Sequence, residues 1–207
     1  MHLPDGLIPL DQVVIYWIIS LIALAMFFVR LSEDTNQKDK RIVLTAVLTA
    51  ATIIASSISI PSPFGIPMHF FIIPLVVIIL GPFNGILVTF LSLLIQTLIG
   101  LGGLTVLGAN VFVLGVVLCL ATYITYTFIS RLNENIAVFI GTVMGIVLAT
   151  IAHIAILILA GLANLEMLLL TLVPFYLFIG IMEGFVTAFI VQFIEKIKPE
   201  LLLMDKI

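Results

Sequence analysis

The chain has 207 residues, 63% hydrophobic and 9% charged, with a formal net charge of -3 and a mean hydropathy of +1.39. Soluble domains carry about 25% charged residues. The composition therefore excludes a soluble globular domain and a basic nucleic-acid binder, and it predicts a polytopic all-α protein in a lipid bilayer, residues 1–207 forming one transmembrane domain.

The chain opens Met1-His2-Leu3-Pro4-Asp5-Gly6, with no Lys or Arg before Arg30. A cleavable leader needs a basic start and a small-residue cleavage site. Met1 is thus expected to be the true terminus, and the bulky His2 to protect it from removal. Seven apolar segments follow, at about Val13–Val29, Ile42–Ile60, Met68–Leu80, Asn84–Ile99, Val106–Ile129, Ile136–Ala160 and Met167–Ile194. A helical span needs roughly 17–25 residues, so the third is short and the fourth marginal. Gly81-Pro82 separates these two, as tilted spans or as a re-entrant hairpin. The lone cysteine, Cys119, lies in an apolar run and reads as a small buried hydrophobe.

Charge placement predicts orientation. Arg30, Lys38, Lys40 and Arg41 lie between the first two segments, Arg131 between the fifth and sixth, and Lys196, Lys198 and Lys206 after the last. All the basic residues fall on one side, and the other side carries only Asp5, Asp11 and Glu166. The positive side is expected to face the cytoplasm, leaving the N-terminus outside and the C-terminus inside a plasma membrane. Small residues at helix-contact spacing, Ala46, Ala50 and Ala55, Gly141 and Gly145, Gly180 and Gly184, fit internal packing or a partner membrane protein.

Of three histidines, this orientation puts His2 and His69 on the outer side. A histidine at position 2 has a specific chelating property. The Met1 amine, the deprotonated His2 amide and the His2 imidazole Nδ1 close adjacent five- and six-membered rings around one ion. Three coplanar nitrogens leave one position open, which the His69 imidazole can fill. Planar nitrogen donation suits Ni(II), Cu(II) or low-spin Co(II) and disfavours Zn(II) and Mg(II). The competing reading makes His2 a plain exposed terminus and His69 a hydrogen-bonded loop residue. Intramembrane polar groups are costly in lipid. Gln96 and Asn110 read as interhelical hydrogen bonders or as support for the metal loop, and His153 as a structural residue. Glu183 is either a functional carboxylate or a neutral hydrogen-bonded one.

The same residues resemble the CbiM/NikM family, the substrate-specific S components of cobalt and nickel energy-coupling-factor (ECF) transporters. The resemblance rests on Met1–Gly6, Gly65–His69, Leu80–Gly85, Leu94–Leu98, Gly102–Phe112 and Ile179–Gly184, colinear over nearly the whole chain. It implies a seven-helix bundle whose N-terminal segment, residues 1–12, plugs it from outside. It implies Co2+ or Ni2+ as transported substrate, held by Met1, His2 and His69, and no organic cofactor. The implied partners are a transmembrane T component, a pair of cytoplasmic ATPases and often a small accessory membrane subunit, with coupling near Ala46 and Ala50. Tyr176 stands where family members often carry a histidine, and Met182 where a glycine is usual. The Met-His-x-Pro-Asp-Gly start leans toward nickel types without deciding the metal.

Two other classes compete. An intramembrane metal-dependent hydrolase needs a nucleophile–base pair or a zinc motif, and no His-Glu-x-x-His occurs. A metal-conducting channel subunit needs rings of polar residues, which are scarce. The chain also lacks a phosphate-binding loop, so the expectation is a transport subunit that is not itself an enzyme.

Overall fold

The computed structural model describes residues 3–33, 38–65 and 68–202, without the side chains of 30–33. Met1, His2 and Lys206 lie outside the described residues, as does the Arg30 side chain. Among the described residues seven helices follow one another: α1 (Leu10–Glu33), α2 (Lys38–Ser57), α3 (Ile73–Leu80), α4 (Pro82–Leu98), α5 (Leu107–Ser130), α6 (Glu134–Leu159) and α7 (Leu165–Ile197). A short 3-10 turn, Pro199–Leu201, follows. Five of the helices are long and apolar enough to cross a membrane. The seven predicted segments match these helices apart from the third, whose helix begins five residues later than Met68.

The third segment nevertheless runs the length of α2. Met68 pairs with Ile60, just past the end of α2, through N–H···O bonds of 2.7 and 2.8 Å. Twelve residues on, the Leu80 carbonyl accepts from Arg41 Nη1 at the opposite end of α2. Residues 68–72 are non-helical and can reach at most about 3.3 Å per residue, while α3 rises ~1.5 Å per residue. Together they approach the ~30 Å hydrocarbon thickness. Such backbone is tolerated at membrane depth only inside protein. All eight residues of α3 are buried, and α4, α5, α6 and α7 surround it.

Outward faces are apolar, as lipid requires. Leu170, Phe185, Phe189 and Phe193 of α7 are exposed. In α2 the usual amphipathicity is inverted: Ile42, Val43, Val47 and Ile54 face out, and Thr45, Thr49 and Thr52 are buried. The glycines of α6 and α7 serve internal packing. A Cβ on Gly141 would meet Tyr126, one on Gly145 would collide with the Thr122 hydroxyl, and one on Gly184 would lie 2.9 Å from the Phe139 ring. Ala46 and Ala50 differ, being exposed on α2, and Ala55 is partly buried. Cys119 is fully buried against Gly85.

One end of the bundle gathers basic residues: Lys40 donates to the Glu200 carbonyl, and Arg131 ends α5. The other end holds the N-terminal segment, where Gln12 Nε2 of α1 donates to the Leu159 carbonyl of α6 at 2.9 Å.

Candidate metal centre

The segment from Leu3 to Pro9 is held by three devices, all drawn from the run Gly103–Asn110. The first is Asn110. Leu3 N donates to Asn110 Oδ1 at 2.8 Å, and Asn110 Nδ2 donates to the Leu3 carbonyl at 3.2 Å. Asn110 and Leu3 are each only 2% exposed, so both backbone groups would otherwise be buried without partners. The second is Asp5, whose carboxylate accepts from Leu104 N at 3.0 Å, Thr105 N at 2.8 Å and the Thr105 hydroxyl at 2.5 Å. The Thr105 hydroxyl, then the backbone N–H groups, hold the Asp5 carboxyl below its ordinary range. The third is close approach. A Cβ on Gly103 would fall 2.5 Å from Asp5 N, and one on Gly108 2.6 Å from the Trp17 ring. Trp17 Nε1 donates to the Thr105 carbonyl and the Ser20 hydroxyl to that of Gly108, each at 2.8 Å. These bonds lock α1 to the same run.

His69 lies on the unwound stretch before α3 and is partly buried. That stretch is fixed from α7. Glu183, 1% exposed, accepts from Phe71 N at 2.9 Å and from Ile72 N at 2.6 Å. Ile72 has φ 58°, the left-handed region that costs an L-residue roughly 1–2 kcal/mol. The strained corner turns the chain from extended to helical, and it presents two N–H groups to the carboxylate that no helix partner takes. A carboxylate at a helix N-terminus is also favoured by the peptide dipoles of α3. The Phe71 ring packs edge-on against the His69 imidazole, centroids 5.5 Å apart, and lies near Tyr176 at 6.4 Å.

The structure thus sorts the residues singled out in the sequence. Asn110 clamps the backbone next to His2, and Glu183 clamps the backbone two and three residues after His69. Gln96 serves neither directly; its Nε2 donates to the Ser56 hydroxyl of α2 at 2.5 Å. His153 is 7% exposed, on the core face of α6, and its Nδ1 finds no hydrogen-bond partner among the described residues. Met1 and His2 fall outside those residues. No group of three His, Cys, Asp or Glu side chains suited to a metal occurs among the described residues. The proposed ligand set needs none, since three of its four nitrogens come from residues 1 and 2.

Reading the sequence for chelation missed Asp5, Thr105, Trp17 and Ser20. A carboxylate four residues from the terminus, facing a Gly-Gly-Leu-Thr turn rich in free N–H groups, was the available signal.

Comparison with known proteins fits this arrangement. The family model described as the cobalt uptake substrate-specific transmembrane region, CbiM, matches residues 2–201. A putative fused nickel transport protein, NikMN, of Archaeoglobus fulgidus is 33% identical over 205 residues, 98% of this chain and 68% of that protein. The cobalt transport protein CbiM of Thermosipho melanesiensis is 34% identical over 146 residues, 70% of this chain and 62% of that one. The chain thus spans about two thirds of the length of these curated relatives. A crystal structure of a truncated transition metal transporter shares the fold, with TM-score 0.85 at 23% identity, covering 95% of this chain and 99% of that one. The match spans the cradling run, the unwound stretch before α3 and Glu183, and the chain belongs to the CbiM family of cobalt uptake substrate-specific transmembrane proteins.

Proposed function

We propose that this chain is the substrate-binding membrane subunit of an ECF-type importer for cobalt or nickel, capturing the ion at the outer face. The Met1 amine, the His2 amide and imidazole, and the His69 imidazole hold the ion in a plane, with residues 1–12 as the metal-binding plug. The observation that carries this reading is the double clamp at one end of the bundle. Asn110 fixes Leu3, the neighbour of His2, and Glu183 fixes the stretch that bears His69. Groups held by buried hydrogen bonds on their flanks meet a rigid ion with little reorganisation.

The basic end of the bundle faces the cytoplasm in this reading. A T component docks against α2, where Ala46 and Ala50 are exposed and let another helix approach closely. Paired ATPase chains supply the energy, with or without a small accessory subunit. The nitrogen plane accepts either metal, and cellular supply selects between them.

Calorimetry on the purified protein tests the site. One Ni(II) or Co(II) binds per chain, and His69→Ala weakens binding at least tenfold, about 1.4 kcal/mol. His153→Ala has the smaller effect. Unchanged affinity in His69→Ala removes that residue from the site.

A further inference from the structure

The segment that carries His69 is tied at both of its ends to α2 and the residues just after it. At the site end, Ile60 N donates to the Met68 carbonyl at 2.7 Å and Met68 N to the Ile60 carbonyl at 2.8 Å, a backbone pair one residue short of His69. At the basic end, Arg41 Nη1 donates to the Leu80 carbonyl at 3.0 Å. Leu80 closes α3, and the last carbonyls of a helix have no helical N–H to accept from. One turn further along α2, the Thr45 hydroxyl accepts from Asn84 Nδ2 at 3.0 Å. The inner end of α2 thus holds the Gly81-Pro82 corner on both sides.

The opposing anchor of the same segment comes from α7, where Glu183 accepts from Phe71 N and Ile72 N. Different helices therefore hold the backbone on the two sides of His69, and only His69 and Phe70 lie between the holds. The side chains of α3 add no directional bond, since all eight are apolar and buried. Its ends instead meet opposite charges, Glu183 at the N-terminus and Arg41 at the C-terminus, as aligned peptide dipoles favour. Packed helices of this kind shift past one another by about 1–2 Å without unfolding. Of the five membrane-length helices α2 is the least buried, and Ile42, Val43, Val47 and Ile54 on its outward face are exposed.

We propose that α2 is the lever that loosens the grip on the ion, with Ile60 and Arg41 as positioning residues that act on His69. A displacement of α2 away from α7 draws Met68 with it, while Glu183 holds Phe71 and Ile72. The two residues between these anchors must turn, and the turn carries the His69 imidazole away from the nitrogen plane. Arg41 and Thr45 pass the same pull to the inner end of α3, so the whole segment from Met68 to Leu80 follows α2. The ion then keeps three nitrogens of four and is held less tightly. This inference rests on the transport reading above and names the residues through which a partner seated on α2 reaches the site.

The test uses the chain assembled with its partner membrane and ATPase subunits in lipid vesicles. Thr45→Cys with Asn84→Cys, in a Cys119→Ala background, puts two thiols where the native side chains meet. Oxidation to a disulfide, followed by the loss of free thiol, locks α2 to α4. The locked chain is expected to bind Ni(II) within twofold of native affinity, to take it up at least tenfold more slowly, and to recover on reduction. Native-level uptake in the locked state overturns the lever. Failure of the unaltered chain to bind Ni(II) or Co(II) overturns the transport reading instead. If the disulfide does not form, Arg41→Met decides, beside Arg41→Lys, which keeps a donor for the Leu80 carbonyl. Uptake at least tenfold lower in Arg41→Met and restored in Arg41→Lys, with Ni(II) affinity within twofold in both, supports the lever. Native-level uptake in Arg41→Met overturns it.

Discussion

Asn110 grips Leu3 with both ends of its side-chain amide, accepting from the backbone N–H and donating to the backbone carbonyl of the same residue. The grip needs an amide, because no other side chain of that size offers one donor and one acceptor side by side. It also sits one residue from the proposed chelate, so any slack there moves the His2 amide and imidazole.

Replacing Asn110 should therefore act on metal affinity. Asn110→Ala strands two buried backbone groups, each costing about 1–3 kcal/mol unpaired. Part of that cost falls on the ordered N-terminal segment, so calorimetry should show Ni(II) affinity reduced at least tenfold. Asn110→Asp keeps the acceptor for Leu3 N and sets a carboxylate against the Leu3 carbonyl; it should lose affinity too. Native affinity in both variants would detach the Leu3 clamp from the site.

Gly103→Ala tests the same cradle from the other side. The added Cβ would fall 2.5 Å from both Asp5 N and Asp5 Oδ1, and 2.6 Å from Val106, distances that force backbone to shift. The N-terminal segment lies outside the helices and should give way first. The expected result is weakened Ni(II) binding with little change in the thermal unfolding of the helical bundle, followed by circular dichroism in detergent. A large fall in unfolding temperature at native affinity would make Gly103 a packing residue only.

Much of this was legible in the sequence, for physical reasons. Five helices are long and apolar throughout, and lipid demands that pattern of any helix that spans it. The third segment was not, because its first residues, 68–72, are not helical. Periodicity cannot report a stretch whose N–H groups are satisfied by a carboxylate more than a hundred residues away, as Glu183 satisfies Phe71 and Ile72. Glu183 itself stood out as an intramembrane charge, but its target did not, since nothing local to residue 183 names Ile72. Asn110 was likewise visible as a polar residue in an apolar helix, and its partner is a backbone that composition cannot flag. The proposed chelate is local to residues 1 and 2 and takes only His69 from afar, so it can be proposed from the sequence, whereas the side chains that hold its flanks cannot.

Acid should release the metal while the scaffold stays intact. Binding displaces the His2 amide proton at every pH in the range, and also protons from the α-amine and imidazole below their ordinary pKa values of about 7.7–8.0 and 6.5. Apparent affinity should fall as pH drops through that range, and the slope should steepen below about 6.5. Asp5 titrates elsewhere. Its carboxyl is held below the usual range by the Thr105 hydroxyl and the Thr105 and Leu104 N–H groups. A depressed carboxylate contributes stability above its unfolded value and loses it only as pH falls through the folded one, far below the range where the nitrogens take up protons. Isothermal titration from pH 8 to pH 5, with circular dichroism alongside, should show affinity lost with helicity unchanged. Affinity independent of pH over that span would exclude protonatable nitrogens as the ligands.

The free terminus gives the sharpest test, because chelate geometry changes discretely with each residue added. With the native start, amine, one amide and the imidazole supply three nitrogens, and His69 must supply the fourth. With one residue fused upstream, the histidine becomes the third residue. The amine, two amides and the imidazole then close a complete four-nitrogen plane, and no position is left for His69. With two residues fused upstream, the amine and imidazole are too far apart to share the ring system. The fusions can be made behind a cleavable secretory leader and compared with the native start carrying a C-terminal tag. The bundle should fold in every case, since helix packing does not involve the added residues. Uptake is expected to be lost in both extended forms and kept with the C-terminal tag. Binding should separate the two: the one-residue extension still binds Ni(II), but His69→Ala no longer weakens it, whereas the two-residue extension binds poorly. Normal uptake by either extended form would sink the terminal-amine site and leave the family assignment standing.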